Sequence, residues 1–382
     1  MIDFSARAMT FLWLICTAFS TMGCVYALFA AVCLRRLTTH APSVTRSPYP
    51  SVSILKPLYG AEPRLLENLS SFAQQNYAGS FEVLFGVQDP SDPAVNSVNA
   101  LLERQPGAPL KLVVNSALHG PNRKVSNLIN MARVACGDVI VLADSDIRAS
   151  REYLSNVIEA LDRPGVGLVT CLYRGLPVAG PWSRLSAMAI DYHFMPSVLV
   201  GLRLGLAKPC FGSTIALRRN TLVRIGGFEA FADRLADDHD VGVAVRALGY
   251  NVAIPPIVLD HTCFEAGFSE LLGHELRWAR TIRHVDPIGF AGSAVTHPLA
   301  FALLGVLLVP DILGMGLLGA SLACRLAVQI QADRVLGGRA GRMWWGPLRD
   351  LLSFAVFVAS FWPGRVTWRG RRYRVGCDGR LV

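Results

Sequence analysis

Two aspartates one residue apart, Asp144 and Asp146, have the spacing that most directly suggests chemistry. They follow the apolar run Val139–Ala143, which places them where a buried strand ends in a loop. Two carboxylates at such a strand end can both reach a hard cation, and Mg²⁺ or Mn²⁺ can neutralise the diphosphate of a substrate. The alternative is that one aspartate caps the helix that begins near Arg151 and the other is solvated. The position after a strand favours the metal site.

Other polar residues follow neighbouring strands of the same predicted sheet. Asp89 and Asp92 come after a second strand, and one of them would bond the base of a nucleotide, although Asp92, before a proline, is also typical of a helix N-cap. Lys124 is either a phosphate contact or a surface lysine in the first turn of a helix. Lys56 follows the first strand. These residues are candidates for binding a nucleotide.

A third acidic group, Asp237, Asp238 and Asp240, precedes the apolar helical stretch Val241–Leu248. Acidic residues suit a helix N-terminus because they interact favourably with its dipole. The functional alternative is a general base that takes a proton from an attacking hydroxyl. Crowding of like charges would raise the pKa of such a base.

His274, Arg277 and Trp278 share one face of a predicted helix, at positions i, i+3 and i+4. The planar fork of an arginine can bond diphosphate oxygens in pairs, and an indole offers an apolar platform to an acceptor. The alternative is an interfacial amphipathic helix whose arginine and tryptophan anchor at the level of the lipid headgroups.

These residues need a sheet to position them, and the pattern from Ser51 to about Ile254 provides one. Short apolar runs alternate with amphipathic ones, which indicates an α/β domain with a mostly parallel sheet and ligands at the carboxyl ends of its strands. The predicted strands are Val52–Leu55, Phe81–Val87, Leu110–Val114 and Val139–Ala143, and the predicted helices are Pro63–Gln75, Pro93–Arg104 and Lys124–Ala135. Neither a G-x-G-x-x-G after the first strand nor a G-x-x-x-x-G-K-[ST] occurs, which argues against dinucleotide dehydrogenases and P-loop nucleotidases.

The composition indicates a membrane protein. Only 17% of the 382 residues are charged, 52% are apolar, and the mean hydropathy is +0.38. Phe11–Leu34 carries no charge and, at about 1.5 Å per residue, is long enough to cross a hydrocarbon core of about 30 Å. Arg35 and Arg36 follow at once. We therefore expect a retained anchor with the following domain in the cytoplasm.

A second apolar region lies near the C-terminus, where Pro287–Pro310, Ile312–Cys324 and Leu351–Gly364 are separated by Asp311 and by a basic segment. The number of membrane crossings there is left open. We expect a basic loop after Cys324 and a basic tail, both in the cytoplasm. The arginines are Arg325, Arg334, Arg339, Arg342 and Arg349 in the loop and Arg365, Arg369, Arg371, Arg372, Arg374 and Arg380 in the tail. Such arginines attract anionic headgroups, so the net charge of +9 needs no nucleic-acid partner.

Taken together, these residues resemble the ceramide glucosyltransferase family, which are membrane-bound, inverting glycosyltransferases of the GT-A fold. The family pattern is three aspartates followed by (Q/R)-x-x-R-W. The matching segments are Ser53-Ile-Leu-Lys-Pro-Leu58, Val87-Gln-Asp-Pro-Ser-Asp-Pro-Ala94, Asp144-Ser-Asp146, Leu235-Ala-Asp-Asp238, Arg277-Trp278 and Thr367-Trp-Arg-Gly-Arg-Arg-Tyr-Arg374. The resemblance covers nearly the whole chain.

The resemblance implies a role for each matching residue. Asp92 would help to bind a UDP-sugar, Asp144 would belong to the metal and diphosphate site, and Asp238 would be the catalytic base. Arg277 and Trp278 would complete the active site.

Two departures from the family pattern stand out. His274 occupies the position of the glutamine or arginine, and Asp146 stands where eukaryotic members look like D-S-G. The second departure makes the metal motif similar to the D-x-D of the wider glycosyltransferase class.

The implied organisation is a transmembrane anchor (1–36), a linker (37–50), a GT-A catalytic domain (51–265), an interfacial helix (266–286), a C-terminal membrane region (287–364) and a basic cytoplasmic tail (365–382). We expect a multi-pass protein of the bacterial inner membrane that uses Mn²⁺ or Mg²⁺ and a UDP-sugar to glycosylate a hydroxyl of a membrane lipid.

Within this family the chain resembles the bacterial branch associated with hopanoids, which implies transfer of N-acetylglucosamine to bacteriohopanetetrol. The segments that carry this resemblance are Lys208-Pro-Cys-Phe-Gly-Ser-Thr-Ile-Ala-Leu217, Gly226-Gly-Phe-Glu-Ala-Phe-Ala232 and His274-Glu-Leu-Arg-Trp-Ala-Arg-Thr-Ile-Arg283. The alternatives are a ceramide glucosyltransferase that uses UDP-glucose, a polysaccharide synthase, and a non-catalytic scaffold of a lipid-synthesis complex.

Overall fold

The structure is a computed structural model that describes residues 2–37, 49–338, 340–341, 343–362, 366–368, 371–373 and 380–381. Most of the predicted linker and tail, with Arg339 and Arg342, lies outside these residues. The chain forms two compact units. The sheet unit comprises Thr38–Arg174, Lys208–Phe264 and Arg372–Val382, and the helical unit comprises Met1–Leu37, Gly175–Ala207 and Glu265–Arg371.

A seven-stranded sheet is the framework of the sheet unit, with strand order β3-β2-β1-β4-β8-β6-β9. Its strands are β1 (Val52–Pro57), β2 (Phe81–Val87), β3 (Leu110–Val114), β4 (Val139–Leu142), β6 (Val166–Val169), β8 (Ile215–Arg218) and β9 (Asn251–Ala253). Strands β1 to β4 are parallel to one another, β8 runs antiparallel to both β4 and β6, and β6 is parallel to β9. The four predicted strands and the mostly parallel sheet are confirmed.

The register of this sheet brings polar residues to one edge. Val52 pairs with Val139 and Leu55 with Leu142, so β1 and β4 end side by side. Every residue of both strands is buried, which is why they read as continuous apolar runs. The residues that follow β4 are therefore the first in the strand direction that can reach solvent.

Helices pack on the sheet, and the three predicted ones are present. The helices of this unit are α2 (Leu65–Ala73), α3 (Ala94–Arg104), α4 (Arg123–Ala132), α5 (Tyr153–Leu161), α8 (Arg219–Arg224) and α9 (Asp237–Ala247). On α4, Leu128, Ile129 and Met131 join the buried core against the sheet. Asn122 caps α4, since its side chain accepts a hydrogen bond from the Val125 N–H at 3.1 Å.

A smaller sheet has the order β5-β10-β7, with β5 at Ile147–Arg148, β7 at Leu172–Pro177 and β10 at Val258–Cys263. Strand β5 begins directly after Asp146. Because Ile147 pairs with His261, this sheet places a histidine from a distant part of the chain beside the aspartate loop.

The helical unit consists mainly of helices, several of them long and apolar. They are α1 (Ile2–Arg35), α6 (Gly180–Ala189), a π-helix (Ile190–Phe194), α7 (Met195–Arg203), α10 (Phe268–Val285), α11 (Pro287–Gly292), α12 (Pro298–Leu308), α13 (Ile312–Leu336) and α14 (Gly346–Ala359). The strands β11 (Val366–Trp368) and β12 (Arg371–Tyr373) form a two-stranded sheet. Among the described residues, Arg7–Arg35, Gly180–Arg203 and Ile312–Leu336 are long and apolar enough to span a membrane. The bent pair Pro287–Thr296 and Pro298–Leu308 would make a fourth span if it crosses as one.

The helical unit agrees with the predicted anchor and corrects the predicted basic segment. Helix α1 covers the whole uncharged run, whereas the segment after Cys324 is not a loop, because α13 continues to Leu336. The helix accommodates Arg325 because this side chain is only 3% exposed and donates two hydrogen bonds of 2.8 Å to Asp350. Arg349 lies in α14 and is buried as well. These two arginines are internal ion-pair partners rather than headgroup contacts.

The break at Asp311 also has a local cause. Its side chain accepts a hydrogen bond of 2.7 Å from the Gly314 N–H and so caps α13. An aspartate at this position satisfies a main-chain donor at the helix start. The apolar stretches on either side are therefore separate helices.

Candidate active site

Asp144 and Lys124 form the centre of a polar cluster at the carboxyl edge of the large sheet. The Lys124 Nζ lies 2.7 Å from Asp144 Oδ1 and 3.7 Å from Asp237 Oδ2. Lys124 is 8% exposed, whereas one third of the Asp144 side chain is accessible. Burial disfavours the ammonium, but Asp144, Asp237 and Asp238 more than offset this and raise the pKa of Lys124. Lys124 is therefore a permanent charge within the cluster and not a solvated surface residue.

The main chain of Gly212 joins Asp144, a predicted metal ligand, to Asp238, the predicted base. Its N–H donates to Asp238 Oδ2 at 3.0 Å, and its carbonyl accepts from the Asp144 N–H at 3.2 Å. A Cβ at this position would lie 2.5 Å from Asp144 Oδ2, closer than real side chains come. The sequence analysis did not single out Gly212 as a site residue, because a single glycine in a loop carries no spacing signal.

Asp238 has the properties of a general base. It lies in the first turn of α9, as predicted, and its Oδ1 accepts a hydrogen bond from the His239 N–H at 2.8 Å. Burial and the neighbouring Asp237 raise the pKa of Asp238 to about 6, against the opposing effect of Lys124. Such a carboxylate is ionised at neutral pH but holds a proton more tightly than an ordinary aspartate.

Asp146 contacts a histidine that the sequence analysis missed. His261 Nε2 lies 3.3 Å from Asp146 Oδ2, and the Thr262 N–H donates to the Asp146 carbonyl at 2.8 Å. Burial lowers the pKa of His261, but the adjacent Asp146 more than offsets this, so the pKa of His261 is well above its ordinary value. His261 lies in β10, far along the chain and outside any motif, so only the strand pairing reveals it.

The donor set fits a divalent cation that shares its coordination with a ligand. The described ranges contain no group of three or more His, Cys, Asp or Glu side chains arranged to hold a metal ion by themselves. Mg²⁺, however, is commonly held by one or two carboxylates together with substrate phosphates and water. Asp144 and Asp146 would supply the two carboxylates, and the lack of a side chain at Gly212 makes room for the Asp144 carboxylate itself.

Lys56 holds the main chain of the loop that carries Asp144 and Asp146. It is completely buried in β1, its Nζ donates to the main-chain carbonyls of Asp144 and Ile147, and it lies 3.9 Å from the centre of the Phe72 ring. Burial lowers the pKa of Lys56 to about 7, although Asp146 and Asp144 oppose this shift. Lys56 presents no surface to a nucleotide, which differs from the ligand contact suggested by its position after a strand.

Asp89 and Asp92 organise the loop after β2. Asp89 is exposed, and its Oδ1 accepts hydrogen bonds from the N–H and hydroxyl of Ser91, which lower its pKa. Asp92 accepts from the Gly60 N–H at 2.9 Å and from the Ala94 N–H at 2.9 Å. Asp92 therefore makes the helix-start contact predicted for it and also ties the loop after β1 to α3. The contact of Asp89 or Asp92 with a nucleotide stays a prediction.

Arg277 and Trp278 belong to the helical unit, where both are half-buried on α10. His274 lies one turn before them on the same helix, and the centre of its ring is 4.6 Å from that of the Trp278 ring at an angle of 75°. The predicted helical spacing of these three residues is thus present.

Similarity to known proteins provides independent evidence on the family and the fold. The chain is 24% identical over 376 residues to ceramide glucosyltransferase 3 of Caenorhabditis elegans, covering 94% of this chain and 80% of that protein. It is also 24% identical over 276 residues to an N-acetylglucosaminyltransferase of Mesorhizobium japonicum, covering 68% of this chain and 64% of that protein. Most of both units is included in the first of these similarities.

A solved structure shows the same architecture. The mannosyltransferase PcManGT of Pyrobaculum calidifontis, determined with GDP-Man and Mn²⁺, matches 93% of this chain and 99% of its own with a TM-score of 0.54 and 21% identity. The sheet is therefore that of the GT-A-like glycosyltransferase fold, as expected from the aspartate motifs. The sequence model of glycosyl transferase family 21 matches residues 15–381, nearly the whole chain, and the chain belongs to this family of glycosyltransferases.

Proposed function

We propose that this glycosyltransferase transfers one sugar from a UDP-sugar to a hydroxyl of a membrane lipid, with inversion at the anomeric carbon. The observation that carries the proposal is the junction at Gly212, which links Asp144 of the predicted metal pair to Asp238, the predicted base. Nucleotide-sugar transfer needs charge neutralisation of a leaving diphosphate together with a base for the attacking hydroxyl.

The charge-neutralising part is assigned to Asp144 and Asp146. They would hold Mn²⁺ or Mg²⁺, which supplies electrostatic stabilisation of the departing UDP. Lys124 fixes one oxygen of Asp144, and the other oxygen packs against Gly212, where a Cβ would lie 2.5 Å from it. Asp89 and Asp92 remain proposed contacts of the nucleotide.

The proton-transfer part is assigned to Asp238. The lipid hydroxyl attacks the anomeric carbon and forms the new glycosidic bond, while the bond to the diphosphate breaks and UDP leaves with the electron pair. Asp238 takes the hydroxyl proton. Its pKa of about 6 suits this task, because the carboxylate is available at neutral pH and is more basic than an exposed aspartate.

The acceptor is proposed to be a lipid because the chain carries three helices with the length and composition of membrane spans. In this proposal the helical unit lies in a bacterial inner membrane and the catalytic residues face the cytoplasm, where UDP-sugars are made. Arg277 is assigned to the diphosphate and Trp278 to an apolar surface for the acceptor.

The sugar and the acceptor are proposed at a finer level. The similarity to a bacterial N-acetylglucosaminyltransferase supports N-acetylglucosamine, and bacteriohopanetetrol follows from the resemblance to the hopanoid-associated branch. The similarity to ceramide glucosyltransferase 3 supports the second candidate, transfer of glucose from UDP-glucose to ceramide.

The test is an assay of the purified full chain in lipid nanodiscs with Mn²⁺ or Mg²⁺, offering UDP-N-acetylglucosamine or UDP-glucose with bacteriohopanetetrol or ceramide. Mass spectrometry of the extracted lipids is expected to show one added N-acetylglucosamine on the hopanoid, and the product should disappear in Asp144→Ala. Glucosylceramide as the product would support the second candidate. Release of no UDP in any combination would contradict an enzymatic role and favour a scaffold.

A further inference from the structure

His274 occupies the position at which the family pattern has a glutamine or an arginine, and its contacts show what it does there. Its Nδ1 lies 2.6 Å from Glu265 Oε1, so the ring donates this hydrogen bond to the carboxylate. The rest of the ring meets Trp278 edge to face, with 4.6 Å between the ring centres. Both geometries are those of stabilising contacts. The imidazole therefore links a buried carboxylate to the indole one turn further along the helix.

Glu265 is itself held firmly. It is 5% exposed, and the same oxygen that accepts from His274 also accepts from the Ser186 hydroxyl at 2.8 Å. Ser186 is equally buried, on α6. Burial raises the pKa of Glu265, but the hydrogen bonds from His274 and Ser186 more than offset it and lower the pKa overall. Glu265 thus stays ionised and provides a fixed acceptor for the imidazole.

The helix that carries these residues is fixed by a separate contact. Arg349 of α14 donates two hydrogen bonds to the Glu275 carboxylate at 2.6 and 2.7 Å and a third to the Leu185 carbonyl at 3.2 Å. Arg349 is 1% exposed, so this pair is well shielded from water. Helix α10 is therefore attached to α14, and α14 to α6, by contacts that do not involve His274.

We propose that His274 is a positioning residue that sets the orientation of Trp278, with Glu265 and Ser186 as its anchor. This inference rests on the proposed function, in which Trp278 forms the apolar surface for the lipid acceptor. A glutamine at position 274 can make the same hydrogen bond to Glu265, which is consistent with the family pattern. An apolar residue of similar size cannot make this hydrogen bond. Its side chain would not be fixed to Glu265, and the Trp278 indole would then pack against a residue without a set orientation.

The test compares His274→Leu with His274→Gln in the full chain, with His284→Gln on the same helix as the control. An aromatic pair of this kind corresponds to about a 2- to 12-fold change in an equilibrium. We expect His274→Leu to raise the KM for the lipid acceptor by a factor in this range and to leave the KM for the UDP-sugar unchanged. His274→Gln should restore most of the acceptor affinity, and His284→Gln should match the wild type.

A second readout follows Trp278 without requiring turnover. Acrylamide quenching of the Trp278 emission, obtained as the difference from Trp278→Phe in each background, is expected to increase in His274→Leu and to stay low in His274→Gln. Ser186→Ala removes a single hydroxyl and should produce a smaller increase, which keeps the test valid if His274→Leu does not fold.

Unchanged quenching in both His274→Leu and Ser186→Ala would overturn the positioning role, whatever the activity. Increased quenching with an unchanged acceptor KM would overturn the link between that orientation and acceptor binding. Increased quenching in a protein that transfers no sugar to any lipid would support the positioning role while counting against the proposed function alone.

Discussion

Adding one methyl group at Gly212 perturbs the centre of the proposed site with little other change. In Gly212→Ala the new Cβ would lie 2.5 Å from Asp144 Oδ2, and real Cβ atoms essentially never approach closer than 3.0 Å. The carboxylate must therefore shift by about 0.5 Å, the difference between these distances. It cannot turn away freely, because its other oxygen is 2.7 Å from Lys124 Nζ, which itself lies 3.2 Å from the new Cβ.

The expected loss follows from this displacement. A misplacement of about 1 Å costs roughly 100-fold in rate, so a shift of half that size should lower kcat/KM about tenfold, or about 1.4 kcal/mol of transition-state stabilisation. Because Asp144 is a proposed metal ligand, the Mn²⁺ concentration for half-maximal rate should rise. Initial rates measured over a series of Mn²⁺ concentrations at fixed UDP-sugar report both quantities.

Gly316→Ala is the matched control, since no heavy atom lies within 4 Å of the Cβ it would add on α13. It should leave both quantities unchanged. If Gly212→Ala keeps the wild-type rate and the wild-type Mn²⁺ dependence while remaining folded by circular dichroism, the proposed crowding of Asp144 is wrong. A loss of fold in Gly212→Ala would mean that the glycine serves packing and not the site.

Three further predictions concern protonation, metal and packing. The pKa of Asp238 is raised to about 6, and the base must be ionised to act. We therefore expect kcat/KM to be level near neutral pH and to fall about tenfold per pH unit below pH 6. A profile that stays level down to pH 5 would contradict the assignment of Asp238 as the base. Chelation of divalent cations should abolish transfer and added Mn²⁺ should restore it, whereas full activity in excess chelator would exclude the proposed metal site. Arg325→Met removes the guanidinium partner of the buried Asp350, which keeps its contact with His193 Nε2, and should destabilise the chain by about 3–5 kcal/mol. Unfolding in detergent should show partial recovery in Arg325→Met/Asp350→Leu. Equal stability of the single variant and the wild type would show that the ion pair contributes nothing.

The positions of Asp144 and Asp238 were predictable because each is an acidic residue next to an apolar run that marks a strand or a helix. Asp144 follows a run of buried apolar residues, and Asp238 lies in the first turn of α9, so both lie at the ends of elements that the sequence pattern marks. Gly212 and His261 could not be predicted in this way. One acts through its main chain and the lack of a side chain, and the other reaches the site through the pairing of β10 with β5.

Lys56 shows how one residue at a strand end changes an interpretation. The pattern ended the first strand at Leu55 and left Lys56 in the loop, but β1 continues to Pro57. The ammonium is therefore enclosed and bonded to the carbonyl oxygens of the aspartate loop. A buried lysine among carbonyls depends on tertiary contacts that local sequence does not encode.

The membrane helices illustrate a similar limit. An uncharged run such as that in α1 is readable from hydropathy alone, but Arg325 looks like the end of a span until its partner is known. Asp350 lies on another helix, and only the fold brings its carboxylate to the guanidinium. Gly180–Arg203 is also long and apolar enough to span a membrane, but it was not predicted as a span. Its polar residues Asp191 and His193 interrupt the apolar pattern in the sequence.

The most direct test of the central claim is a paired measurement on Asp238→Asn in one preparation, with UDP-sugar binding and sugar transfer determined side by side. Asparagine preserves the shape of the side chain and cannot take up the hydroxyl proton. We expect Asp238→Asn to abolish transfer to the lipid and to keep UDP-sugar binding close to that of the wild type. Retained transfer, with or without weakened binding, would contradict the assignment of Asp238 as the base.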